Sequence, residues 1–193
     1  MLSNLTSSIR PVLLSGAMSG ALSAVLLALP AQAAVVLDTF GPGDTANGQN
    51  WALFNPDPSG GGQSLAVPFS LVETSTISNI LTSIDGTGNY DLGIVAGSGL
   101  PTGAFVFSTV LTDPSANVSV SGLGWTLAAG DYWLVSKAQA GAFGAWRGGT
   151  QPGTTPWAFT FDAVDTDWVL TGTSDAPGAT SPSARSPNPA PGR

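Results

Sequence analysis

Leu127-Ala128-Ala129-Gly130-Asp131-Tyr132-Trp133-Leu134-Val135-Ser136-Lys137 decides how this chain folds. Its first part has turn chemistry, since Gly supplies backbone freedom and Asp hydrogen-bonds its own backbone. Tyr132 to Ser136 follows as a run of aromatic, aliphatic and β-branched residues, too short for a helix and right for a strand. In an extended chain Tyr132 and Leu134 project one way and Trp133 and Val135 the other. Both faces are therefore apolar. That predicts a central strand covered on each side, a scaffold rather than an edge offering a ligand surface.

Outward from this stretch, the flanking sequence repeats the strand-and-turn rhythm. On its N-terminal side, Ala34 to Phe40 reads as a first strand, stopped by Gly41-Pro42-Gly43-Asp44, and a short strand surrounds Trp51. Gln63 to Phe69 is the next, with Pro68 removing a ladder donor and so pointing to an edge or a strand end. Ser75 to Ile84 reads as one strand on its Ser, Thr and Ile content. Tyr90 to Ala96 alternates with period 2. Ala104 to Leu111 is apolar on both faces, and Val118 to Leu123 alternates weakly. On the C-terminal side, Ala142 to Arg147, Trp157 to Phe161 and Trp168 to Thr171 are short aromatic strands. About nine or ten short strands with turns between them predict an all-β fold, a two-sheet antiparallel β-sandwich of jelly-roll kind. No sustained helical stripe follows residue 33.

The two ends read differently. Arg10 closes a polar start, Pro11 to Leu29 is apolar, and Pro30-Ala31-Gln32-Ala33 offers small residues at a cleavage site. This predicts a secretory signal peptide over residues 1–33, cut after Ala33, in preference to an uncleaved membrane anchor. From Gly172 the composition shifts to Ser, Ala, Pro, Gly and Thr, which predicts a disordered tail over 172–193. The sandwich domain is then residues 34–171.

Composition narrows the chemistry. The chain has no His and no Cys. That excludes disulfides, His-dependent nucleophile pairs, and zinc or copper sites of the usual N/S kind. Oxygen-liganded Ca²⁺ is the metal chemistry still open, and no other cofactor is expected. Charged residues are 9% of the chain and the formal net charge is −7 with five basic residues. So small a basic complement argues against nucleic acid and against anionic membrane surfaces. Insertion of the mature chain into a membrane is not expected either.

Three sets of residues are candidates for function. Six Trp are many for this length. Trp133 and Trp157 lie in strongly apolar strands and are expected in the core. Trp51, Trp125 and Trp146 sit among Gly, Asn and Arg, so they are expected to be exposed and able to stack on sugar rings. Asp162, Asp165 and Asp167 fall within six residues, and Asp85 and Asp91 flank a Gly-rich turn. They could hold Ca²⁺ or simply be solvated turn acids, since their spacing matches no known loop. Glu73 with an Asp could form a glycan-hydrolase carboxylate pair, although no spacing singles one out. Ser136 and Lys137 are adjacent and point to opposite faces, which excludes a Ser-Lys dyad.

The order of Gln63-Ser64-Leu65-Ala66-Val67-Pro68-Phe69, Tyr90-Asp91-Leu92-Gly93-Ile94, Gly99-Leu100-Pro101-Thr102-Gly103, Ala129-Gly130-Asp131-Tyr132-Trp133-Leu134 and Trp146 resembles the choice-of-anchor R domain of bacterial exoproteins, over about residues 38–162. The resemblance implies a secreted or surface β-sandwich often found with a PEP-CTERM sorting signal, and supplies no catalytic residues. Asp175 to Arg193 departs from such a signal, with neither Pro-Glu-Pro nor an apolar helix.

Together these observations predict a non-catalytic secreted or cell-surface protein, associated with extracellular matrix or biofilm, whose partners are glycans or other surface proteins. The alternatives are a carbohydrate-binding module using exposed Trp with structural calcium, and more remotely a carboxylate-dependent glycan hydrolase.

Overall fold

The computed structural model describes residues 34–41, 43–56, 61–149, 156–161, 167–172 and 176–185. The leader expected over residues 1–33 lies outside them. The fold is all-β, an antiparallel sandwich. Thirteen strands occur among the described residues: β1 (Ala34–Asp38), β2 (Ala46–Phe54), β3 (Ser64–Leu71), β4 (Ser75–Thr82), β5 (Ile84–Thr87), β6 (Asn89–Ala96), β7 (Phe105–Thr112), β8 (Val118–Leu127), β9 (Gly130–Ala138), β10 (Phe143–Gly149), β11 (Ala158–Thr160), β12 (Val169–Leu170) and β13 (Ala179–Arg185). One layer is a six-stranded sheet, β12-β11-β3-β9-β6-β7. The facing layer is made of a four-stranded sheet, β1-β13-β4-β8, and a three-stranded sheet, β2-β10-β5.

Strand β9 lies between β3 and β6. Its alternating side chains divide between two clusters, as the period-2 reading requires. Tyr132 and Leu134 join Leu65, Val67, Leu92 and Ile94 in the main core between the layers. Trp133 and Val135 join Ala66, Val95, Ala158 and Trp168 on the far face of the same sheet. The strand is thus buried on both faces. The turn before it is not a hairpin, however. Ala128-Ala129 carries the chain from β8 in one layer to β9 in the other, and the Tyr132 hydroxyl donates to Ala128 O at 3.0 Å to hold that corner. A tyrosine bonding back to the preceding backbone is a corner device found in other sandwiches. Pro68 is accommodated because the β11 ladder on β3 stops at Ala66, so β3 has no β11 partner at Pro68.

Ser75 to Ile84 is not one strand. It divides at Ser83 into β4 and β5, which belong to different sheets. Ser83 is fully buried and joins them: its N–H donates to Gly178 O at 3.1 Å, and its carbonyl accepts from Arg147 N at 3.2 Å. Its hydroxyl lies 2.6 Å from Arg147 O.

The tail expected to be disordered is in part a strand, and the sandwich extends beyond residue 171. β13 pairs with β1 on one side and β4 on the other. The reason lies in the slot that receives Pro177 to Ala179. Thr39 Oγ1 donates to Pro177 O at 2.5 Å and accepts from Ala179 N at 2.8 Å. Trp146 Nε1 donates to Gly178 O at 2.9 Å, and Gly178 N donates to Arg147 O at 2.7 Å. A side chain on Gly178 would come within 2.7 Å of the Phe40 ring. A segment poor in apolar residues is thus held through its backbone, and the ordering cost is offset by buried hydrogen bonds rather than by burying side chains.

Candidate functional site

Two surface features are built by this frame. The first is a shallow pocket of about 250 Å³ on the six-stranded sheet, lined by Pro68, Ser70, Gly97, Ser98, Asp131 and Trp133 among others. The β3–β9 register sets Ser70 opposite Asp131 and Pro68 opposite Trp133. Ser70 Oγ donates to Asp131 Oδ1 at 2.6 Å. The far wall is fixed by one backbone bond and one from a side chain: Gly97 N donates to Asp131 O at 2.9 Å, and the Trp133 indole Nε1 donates to Gly99 O at 2.6 Å. The pocket therefore offers a carboxylate and a hydroxyl over an apolar floor of proline and indole, an arrangement able to accept hydrogen bonds from a small hydroxylated ligand.

The second feature is an aromatic series that runs from the core to the surface. Trp51 and Trp157 have ring centroids 4.7 Å apart, Trp157 and Phe159 5.7 Å, and Phe159 and Phe161 5.0 Å. Phe54 and Phe143 pair at 6.3 Å. The main chains of Phe54 and Phe161 flank Gly62 and Gly61, at positions where any side chain on those glycines would meet their carbonyl oxygens. Phe143 is 68% exposed and Phe161 61%.

The stacking platform expected from Trp51, Trp125 and Trp146 is not formed. Trp146 is fully buried and Trp125 is 6% exposed. Trp125 stacks on Phe107 at 5.8 Å with rings 8° from parallel, so it bridges the two layers. Trp51 is half-buried against Trp157 and the main core. Beside Trp146 the small residues mark close packing rather than a loop, whereas Gly122 and Gly124 near Trp125 face open space and serve a positive φ. Any side chain on Gly144 would collide with the Asp85 carbonyl and the Tyr90 hydroxyl.

No family model, curated protein or solved structure matches the chain.

Of the acidic candidates, Asp162 and Asp165 lie outside the described residues, and Asp167 is exposed. Among the described residues no three His, Cys, Asp or Glu gather as a metal cluster. Asp85 is engaged by Arg147, whose Nε donates to Oδ2 at 2.7 Å, and Asp91 accepts from Gln139 Nε2 at 2.9 Å. Tyr90, buried between β6 and β10, donates to Thr87 O at 3.1 Å. Burial raises its pKa above the usual value, and the carboxylates of Asp85 and Asp113 raise it further.

Sequence reading missed Asp131 and Ser70 as a site because only strand register joins positions 61 residues apart. It missed Phe143 and Phe161 because an aromatic at a strand end carries no sign of which way it faces.

Proposed function

We propose that this chain is a non-catalytic β-sandwich protein of the cell exterior, secreted or surface-held and associated with extracellular matrix or biofilm, that works by contact with other surfaces. The observation that carries this reading is the aromatic end of the sandwich, where Phe143 and Phe161 each present more than half of their surface to solvent. Large aromatics gathered at a surface mark a site of association. The leader-like residues 1–33 and the resemblance to choice-of-anchor R exoproteins support placing that association outside the cell. The experiment is retention of the purified protein on matrix or cell-surface material, comparing the native chain with a Phe143→Ser, Phe161→Ser double variant. Retention should drop sharply while the urea midpoint stays within about 1 kcal/mol equivalent, as for exposed substitutions. Equal retention of the two proteins would remove the reading. Intact mass of exported protein should show a start at Ala34.

A second reading is favoured by the Ser70–Asp131 pocket: a carbohydrate-binding module that takes a terminal sugar through its hydroxyls rather than through a Trp platform. A glycan array probed with residues 34–185, with and without Ca²⁺, should then give hits that disappear on Asp131→Ala. Hits that survive this change would place the binding elsewhere.

A further inference from the structure

β7 ends the six-stranded sheet, and among the described residues no strand pairs with its outer edge. Its eight residues, Phe105-Val106-Phe107-Ser108-Thr109-Val110-Leu111-Thr112, include no charge, no proline and no glycine. Edge strands are ordinarily blunted by such residues because an open ladder templates pairing with another chain. The other edges of this fold are shortened or interrupted: β2 has nine residues but carries Gly48 and a shift of register against β10 between Ala46 and Asn50. β12 has two residues and β5 four. β1 is short and ends in Asp38. β8 carries Gly122 and Gly124 at φ +74° and +62°. β7 is interrupted only by a register shift at Val106, which leaves Phe107 to Thr112 regular and uncharged.

The hydrogen bonds show which groups of β7 are open. Asp113 N–H donates inward to Gly88 O at 2.9 Å. In a planar trans peptide the preceding carbonyl, that of Thr112, points the opposite way, to the outer edge. The partner side agrees, since Asn89 O, opposite Thr112, accepts from Gln139 of β9 instead. A residue of an antiparallel strand directs its N–H and C=O to one side, alternating along the chain. Thr112, Val110 and Ser108 therefore present their backbone groups outward, and all three side chains are exposed, Val110 at 50%. Beyond Ser108 the register shifts at Val106, which ends the regular segment.

We propose that β7 is a self-association edge, pairing antiparallel with β7 of a second copy of this chain about a two-fold axis through Val110. This register alone pairs the three outward residues with one another. Val110 meets the partner's Val110, and Ser108 meets the partner's Thr112, hydroxyl to hydroxyl. The six backbone groups of those residues on each strand close into a ladder that joins two six-stranded sheets into one of twelve. Charge does not oppose it. Asp113 of each copy lies opposite the partner's Phe107. Asp91, the register partner of Val110 on β6, is separated from its counterpart by three strand spacings, roughly 14 Å, beyond the Debye length at physiological salt. A copy of the same edge fits because the edge is uncharged and its outward residues pair as valine with valine and hydroxyl with hydroxyl.

The test uses a chain that has no native cysteine. Sedimentation velocity of the purified protein should show a monomer–dimer equilibrium, and Val110→Lys, which sets two ammonium groups face to face, should weaken it at least about tenfold. Directly opposed residues of a hydrogen-bonded pair have Cα atoms about 5.5 Å apart, within disulfide reach. Val110→Cys should therefore cross-link to itself under mild oxidation. Ser108→Cys and Thr112→Cys should each fail alone, since each is roughly 14 Å from its own copy, and should cross-link when mixed. A protein that stays monomeric to about 1 mM, a dimer indifferent to Val110→Lys, or cross-linking that does not follow this pattern would overturn the proposal.

Discussion

Trp133 and Tyr90 show at the scale of single residues how this core is held. Trp133 is buried on the outer face of β9 and its indole N–H is bonded to Gly99 O. Trp133→Ala should cost about 3–5 kcal/mol, as large-to-small changes of buried aromatics do. A loss below about 1 kcal/mol in urea unfolding would show that the strand is not central. Tyr90 supplies a pH signature. Its folded pKa is raised, so its contribution is fully present below the unfolded value near 10 and is lost as pH climbs through the higher folded value. The urea midpoint should hold up to about pH 9.5 and fall above it, and Tyr90→Phe should flatten that fall. An unchanged slope in the variant would assign the alkaline loss to other groups. Trp125 and Trp146 show where residue-level reading of the sequence stops. Gly beside Trp is consistent with an exposed loop, yet at Gly144 and Gly149 the missing side chain lets two backbones touch. Composition does not distinguish the two uses of glycine.

At the scale of elements, β9 and β6 were legible because each side-chain alternation is complete within one strand. The division of β4 from β5 was not, because it is made by partners. Ser83 looks like its neighbours in sequence and differs only in meeting Gly178 and Arg147. β13 was illegible for the same reason: its seven residues bring little apolar surface, and what holds it is donated by Thr39, Ser83 and Trp146 from elsewhere. Ending the chain at Thr171 strips the partners of the Thr39 hydroxyl and the Trp146 indole N–H, each a buried polar group left unpaired at about 1–3 kcal/mol, while the Ser83 hydroxyl keeps only Arg147 O. It also leaves β1 with no partner and β4 paired on one side only. Against a total stability of about 5–15 kcal/mol, the truncated protein should show no cooperative urea transition. A truncation that unfolds at the native midpoint would mean that β13 is a passenger.

At the scale of the molecule, the aromatic content is divided between holding the layers together and marking one end of them. Five of the six Trp are buried and Trp51 is half-buried. Acrylamide should therefore quench native fluorescence only weakly, and quenching should rise together with a red shift at unfolding. Strong quenching of the folded protein would contradict this burial. The sandwich class was legible from strand rhythm alone. The candidate surfaces were not, since the pocket depends on the β3–β9 register and the aromatic end on where β2, β10 and β11 stop.

The clasp at Pro177 to Ala179 also sets a clock. The hydroxyl of Thr39 closes on Pro177 across 138 positions of sequence. A ribosome adding roughly 5–20 residues per second makes Thr39 and its neighbours many seconds before their partner exists. Until then β1 has no neighbour and one layer lacks its middle strand, so the nascent chain cannot complete its fold early. Completion of the sandwich therefore waits for Pro177 to Arg185, and a closing contact so distant in sequence slows folding.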